Sequence, residues 1–153
     1  MIRHRPQRLP CPFCEIVAER AAAHVIVETE GAIAILDIAP VSRGHTLLLP
    51  RRHVEDLTKF GAADAIAAIA SPLQTAAGLL VDRLGATGLT CIQANGATAG
   101  QEIAHLHVHL VPRFAGDGRL TTWTRDLSEK DRVAEVHHRL TGDGIGESDL
   151  VHL

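Results

Sequence analysis

The stretch Gln101-Glu102-Ile103-Ala104-His105-Leu106-His107-Val108-His109-Leu110-Val111-Pro112-Arg113 alternates histidine with aliphatic residues over its central five positions. Strict alternation is the period of a β-strand, so the spacing predicts a strand from Ala104 to Pro112. His105, His107 and His109 then share one face, and Leu106, Val108 and Leu110 turn to a core on the other. Three imidazoles on one strand face are costly to bury unless they bind something. Two chemistries use such a set. One is a metal site built on His-x-His and a further ligand. The other is nucleophilic catalysis, in which neutral imidazole attacks phosphorus while its neighbours hold the tautomer and the phosphate oxygens.

Just before the run, Asn95-Gly96 and Gly100-Gln101 form a glycine-rich turn of the kind that lets backbone N–H groups approach a phosphate. Further out, His24–Glu28 and Ala32–Asp37 are apolar and rich in β-branched residues. Thr29-Glu30-Gly31 separates them, which is a hairpin signal. Thr46–Pro50 reads as a third strand and Leu89–Gln93 as a fourth. Between these two, Ile66, Ile69, Leu73, Ala77, Leu80 and Leu84 recur at helical spacing, predicting one amphipathic helix over about 62–84. Pro72 lies inside it and is expected to kink or split it. A short helix over 13–20 and a last helix over 128–140 complete the elements. The fold class is α+β: a five-stranded, mostly antiparallel sheet with one long and one or two shorter helices. Residues 1–10 read as a loose basic arm, 11–140 as a single domain and 141–153 as a flexible tail.

At 153 residues the chain is long enough for one sizeable core, and with 46% hydrophobic but only 3% aromatic residues that core is aliphatic. A net charge of −3 disfavours a nucleic-acid partner, because phosphate backbones select basic surfaces. No apolar run approaches the roughly 20 residues of a membrane span, and no leader sequence is evident, so no membrane is expected. Three cysteines without a leader point to a reducing, cytoplasmic setting. Cys11 and Cys14 have the spacing of a metal pair, a redox pair or two packed small residues. Cys91, alone in mid-strand, reads as a core residue.

The quoted run resembles the motif of the histidine triad (HIT) nucleotide hydrolases and transferases. Ile35-Leu36-Asp37-Ile38-Ala39-Pro40 and Gly44-His45-Thr46-Leu47-Leu48-Leu49-Pro50 resemble the family's other recurrent segments, in the same order and spacing. The likeness covers about residues 11–116. It implies an enzyme in which His107 is the nucleophile, forming a nucleotidyl-histidine on the α-phosphate. His109 contacts phosphate and leaving group, and His45 supports the cluster. Asp37 takes the ribose hydroxyls, Ile16, Leu36 and Ile38 line the base pocket, and Asn95, Gly100 and Gln101 flank the sugar-phosphate. Members with the cysteine pair hold a structural zinc, here implying Cys11, Cys14, His53 and His105 as ligands. A closed four-ligand site leaves His107 and His109 for chemistry. The resemblance further implies a purine nucleotide substrate and a homodimer. Phosphoramidase or related hydrolase is the favoured activity. The alternatives are a dinucleoside polyphosphate hydrolase or nucleotidyl transferase, and a non-enzymatic nucleotide-binding interaction protein. One departure stands out: Glu102 occupies a position where some branches carry Ser or Thr. Either its carboxylate points away from phosphate, or substrate selection differs.

Overall fold

The structure is a computed structural model, and it describes residues 10–118. The predicted helix over 128–140, the arm and the tail lie outside the described residues. Those described as far as Asp117 belong to one compact unit. Its elements are α1 (Pro12–Val17), β1 (Val25–Glu28), β2 (Ala32–Leu36), β3 (Thr46–Pro50), α2 (Ala62–Leu84), β4 (Gly88–Ile92) and β5 (Val108–Arg113). The strands form a single sheet in the order β1-β2-β3-β5-β4, antiparallel throughout.

The β1–β2 hairpin closes as its Thr-Glu-Gly turn requires. Thr29 N–H donates to the Ala32 carbonyl (2.9 Å), and Ala32 N–H donates back to Thr29 Oγ1 (3.1 Å). Strand alternation then divides the sheet's residues between two cores. Ala32, Ala34, Leu48, Leu106, Val108 and Leu110 pack under α2, while Ile33, Ile35, Leu47 and Leu49 pack under Phe13 of α1.

Three expectations change. First, β5 begins at Val108, so His105 and His107 precede the strand. Pro50 has no N–H to extend the β3 ladder, and its carbonyl accepts from the His105 ring (2.9 Å). Leu106 N–H donates instead to the Val54 carbonyl at 2.6 Å. The segment stays extended enough to keep Leu106 on the α2 side. Second, α2 runs unbroken through Pro72, which is buried against the sheet. The buried stripe is Ala62, Ala65, Ile69, Pro72, Ala76 and Leu80, rotated from the expected one, so Ile66 is exposed. Small residues along it let the helix approach closely: a Cβ on Gly31 would lie 3.0 Å from that of Ala68. By length and composition this 23-residue helix is also apolar enough to cross a membrane, although Ser71, Gln74 and Thr75 interrupt its apolar run. In this chain it lies over β1, β2, β3 and β5. Third, Cys91 is exposed, because β4 is the edge strand outside the strip that α2 covers.

Gly44, in the turn entering β3, has φ +85°, and a Cβ there would sit 2.6 Å from Leu84 Cδ1 and 2.9 Å from Leu80 Cδ2. Gly44→Ala is therefore expected to lower the unfolding free energy by about 1–3 kcal/mol through strain and overpacking. Urea denaturation should show a lower midpoint at unchanged slope. An unchanged midpoint would contradict this account of the turn.

Candidate active site and metal centre

The α1 side of the sheet carries two clusters that meet at the histidine run. The first joins Cys11 and Cys14, at the start of α1, to His53 after β3 and to His105. Their donor atoms lie within 4.8 Å of one another. Cys14 Sγ is 3.2 Å from His53 Nδ1, the two Nδ1 atoms are 3.3 Å apart, and His105 Nδ1 is 3.5 and 3.6 Å from the two sulfurs. A tetrahedron with bonds of 2.0–2.3 Å has edges of about 3.3–3.8 Å, so this spacing fits one small tetrahedral ion. Soft thiolates with imidazole are the donor set for zinc-like metals. His105 is fully buried, and its ring Nε2 donates to the Pro50 carbonyl, which leaves Nδ1 as a free lone pair facing the thiols. Burial and the adjacent Cys11 thiol push the Cys14 thiol up to about 11. Two neighbouring thiols resist ionising together, and a divalent cation at their centre removes that penalty.

The second cluster is a line of imidazoles. His107 Nδ1 donates to the His105 carbonyl (2.7 Å), so its Nε2 carries the lone pair. Val41 N–H donates to His45 Nδ1 (3.2 Å), which places the His45 proton on Nε2. That proton is donated to His109 Nδ1 at 2.9 Å. His109 is thereby left with its proton on Nε2. The His107 and His109 ring centroids are 4.9 Å apart. In the neutral forms of the two rings, the unprotonated Nε2 of His107 thus stands beside the N–H donor of His109. Burial holds His45 and His109 below the ordinary histidine range. The neighbouring imidazoles push His109 further down, while Asp37 and then Glu102 oppose the shift.

Asp37 Oδ1 accepts from Ala39 N–H (2.8 Å), and its other oxygen lies 3.6 Å from His45 Nδ1. Asn95 and Gln101, expected beside the sugar-phosphate, have their amides engaged within the protein. Asn95 pairs with Gln93 and accepts from Leu57 N–H (2.8 Å). Gln101 accepts from Gly96 N–H (2.7 Å) and donates to the carbonyls of Glu55 (2.7 Å) and Ile103 (3.0 Å). Both therefore shape the 94–101 loop, in which Gly100 takes φ +88°. Ile16 packs beside Phe13, Leu36 is half-buried, and Ile38 is 92% exposed. Glu102 is exposed, yet its charge reaches His109.

The sequence reading missed Phe13. Its ring meets those of His105 and His107 edge-on, at centroid distances of 5.8 and 5.1 Å. Such pairs contribute about 0.5–1.5 kcal/mol each beyond burial. Its position between the two cysteines was the available signal. Val41 and Pro50 were missed because they act through backbone groups, which leave no residue signature.

The HIT domain model matches residues 18–116, and the chain belongs to this family. An uncharacterized HIT-like protein of Methanocaldococcus jannaschii is 36% identical over 110 residues, covering 72% of this chain and 84% of its own. The adenylylsulfatase HINT3 of Arabidopsis thaliana is 32% identical over 107 residues, covering 70% of this chain and 54% of its own. The crystal structure of a Zn-bound histidine triad family protein from Mycobacterium smegmatis superposes with a TM-score of 0.64 at 34% identity, over 85% of this chain and 97% of that one.

The depressed histidines set the sign of the pH response. Groups held below their unfolded value of about 6.5 stabilise the fold in their neutral form, fully above that pH. The contribution is lost as pH falls below about 6.5 towards the folded values. The melting temperature is therefore expected to be highest above about pH 6.5 and to decline below it, less steeply in His45→Asn. A melting temperature that rose on acidification would contradict the neutral assignment.

Proposed function

We propose that this protein is a cytoplasmic nucleotide hydrolase cleaving a P–N or P–O bond at the α-phosphate of a purine nucleotide, through a nucleotidyl-histidine on His107. The observation that carries this reading is the hydrogen bond from His107 Nδ1 to the His105 carbonyl, which directs the Nε2 lone pair away from the backbone. A neutral imidazole in a fixed tautomer is a competent nucleophile without a separate base.

In the first step a His107 Nε2–P bond forms and the bond to the leaving group breaks. The departing group takes its proton from water. The imidazolium created on His107 keeps its Nδ1–H on the His105 carbonyl, which stabilises the charge. His109 Nε2–H lies on the same side and donates to a non-bridging phosphate oxygen, the role of an oxyanion donor. In the second step water attacks phosphorus and gives up a proton to solvent, the N–P bond breaks with its electron pair returning to Nε2, and His107 returns to its neutral form. Asp37 accepts from the ribose hydroxyls, while Ile16, Leu36 and Ile38 contact the base. Asn95, Gly100 and Gln101 hold the loop beside the sugar-phosphate. The adenylylsulfatase relative supports chemistry on an adenylate.

Glu102 favours a phosphoramidase over a dinucleoside polyphosphate hydrolase or nucleotidyl transferase. Its carboxylate has no hydrogen bond or ion pair among the described residues, and it is felt at His109 on the leaving-group side. An amine leaving group is tolerated there better than a second phosphate chain. A non-enzymatic binding role fits less well, because binding alone has no need of the oriented His107.

Cys11, Cys14, His53 and His105 would hold a zinc ion, which the donor spacing fits and which would supply structural cross-linking of α1 to the sheet. A second copy of the chain would pair along edge strand β4, where Cys91 and Ile92 are exposed, and along Ile66 and Val81 of α2.

Three outcomes are expected. Alkaline quenching after mixing with an adenosine phosphoramidate should trap a labelled histidine adduct that is absent in His107→Ala. His109→Ala should retain the adduct site but turn over about 10²–10³-fold more slowly. An adduct of equal yield in His107→Ala would overturn the assignment. Metal analysis should find about one zinc per chain, lost in Cys14→Ser together with several degrees of melting temperature.

A further inference from the structure

We propose that Phe13 is a positioning residue that transmits the state of the Cys11/Cys14/His53/His105 metal site to the nucleophile. The proposal rests on the nucleotidyl-histidine reading of His107 given above. Phe13 sits between the two thiol residues on α1, a helix of only six residues. A helix that short has no stability of its own, so its attachments determine where it lies. Those attachments are the thiols, which converge with His53 and His105, and the Phe13 ring, which is buried among Ile33, Ile35, Leu47 and Leu49; at the far end Ile16 and Val17 pack on the same cluster and Arg51 donates to the Val17 carbonyl (3.1 Å).

The ring is wedged against both functional histidines. It meets the ring of His105, a predicted metal ligand, at 86° and that of His107, the nucleophile, at 74°. The other neighbours that hold His107 are the His105 carbonyl at 2.7 Å and the His109 ring at 4.9 Å between centroids. Two of its three supports therefore belong to residues that a metal would fix: His105 directly, and Phe13 through the cysteines on either side of it. A shift of the thiols moves Phe13, because Cys11, Phe13 and Cys14 lie within one helical turn. Close-packed interiors pass on such displacements rather than absorb them. A small misplacement of a nucleophile is expensive in rate even when binding is unchanged.

The test compares wild type and Phe13→Leu, each with zinc bound and with the metal removed. Three quantities are read: the ¹⁵N imidazole signals of His107, the single-turnover rate of adduct formation from an adenosine phosphoramidate, and the affinity for AMP. In wild type, removing zinc should shift and broaden the His107 signals and slow adduct formation about tenfold. Phe13→Leu should keep its zinc and bind AMP within about twofold of wild type, yet form the adduct about tenfold more slowly. Removing zinc from that variant should then cost less than about a further twofold, since the connecting ring is gone. If metal-free wild type fails to fold, exchange of zinc for the larger cadmium ion in the folded protein provides the same comparison. Multiplicative effects of metal removal and substitution would overturn the proposal. So would a Phe13→Leu protein that is merely less stable, with unchanged His107 signals and rate. Absence of any adduct on wild type would instead refute the nucleotidyl-histidine reading. The His107 signals would still decide whether the metal site reaches that ring.

Discussion

His105 makes three directed interactions, and the rest of the site depends on them. Its ring Nε2 donates to the Pro50 carbonyl, its Nδ1 faces the thiols, and its own carbonyl accepts from His107. A fully buried imidazole is tolerable only when both nitrogens are engaged. Here one nitrogen satisfies a strand carbonyl and the other meets the soft donors of α1. The residue that closes the Cys11/Cys14/His53 cluster therefore also orients the ring of its neighbour two positions on. Because Pro50 ends the β3 ladder, the same bond defines where β5 can begin.

Electrostatics at the site are governed by desolvation. His45, His105 and His109 are all held below the ordinary histidine range, with burial as the largest cause in each. The nearby carboxylates, Asp37 and Glu102, oppose the effect at His109 without overcoming it. Neutral imidazoles are what this arrangement needs. A protonated His45 or His109 would break the donor-to-acceptor line that starts at Val41 N–H and ends at the outward-facing His109 N–H. Asn95 and Gln101 take part at one remove, stapling the loop of residues 94–101 that precedes the histidine run.

The two cores on either face of the sheet differ in texture, and the difference serves the site. Under α2 the core mixes the alanines Ala32, Ala34, Ala62, Ala65 and Ala76 with larger aliphatic residues such as Leu48, Ile69 and Leu106. Close approach of a long helix makes that face a rigid backing. On the other face a single aromatic ring, Phe13, covers Ile33, Ile35, Leu47 and Leu49 and borders the histidines. Aliphatic side chains alone would cover the same area but offer no flat edge to an imidazole.

Alternation and helical spacing were enough to find five strands, the hairpin turn and α2, because strand and helix periods are local properties of the chain, although β5 starts four residues later than alternation suggests and α2 runs unbroken through Pro72. The histidine run and the two further motif segments were equally legible, since their residue types and spacing carry the family resemblance. Other features were invisible until the chain was folded. The direction of each imidazole proton depends on backbone groups of Val41, Pro50 and His105, brought there by strand pairing. Cys91 reads as a core residue in isolation, but edge position decides exposure and edges are a property of the sheet. The rotation of the α2 stripe onto its alanines was likewise set by how closely a helix can approach β2, which no periodicity records. Sequence alone thus determined which side chains are available for chemistry, while tertiary structure decided which nitrogen of each histidine can perform it, because a tautomer is selected by partners distant in the chain.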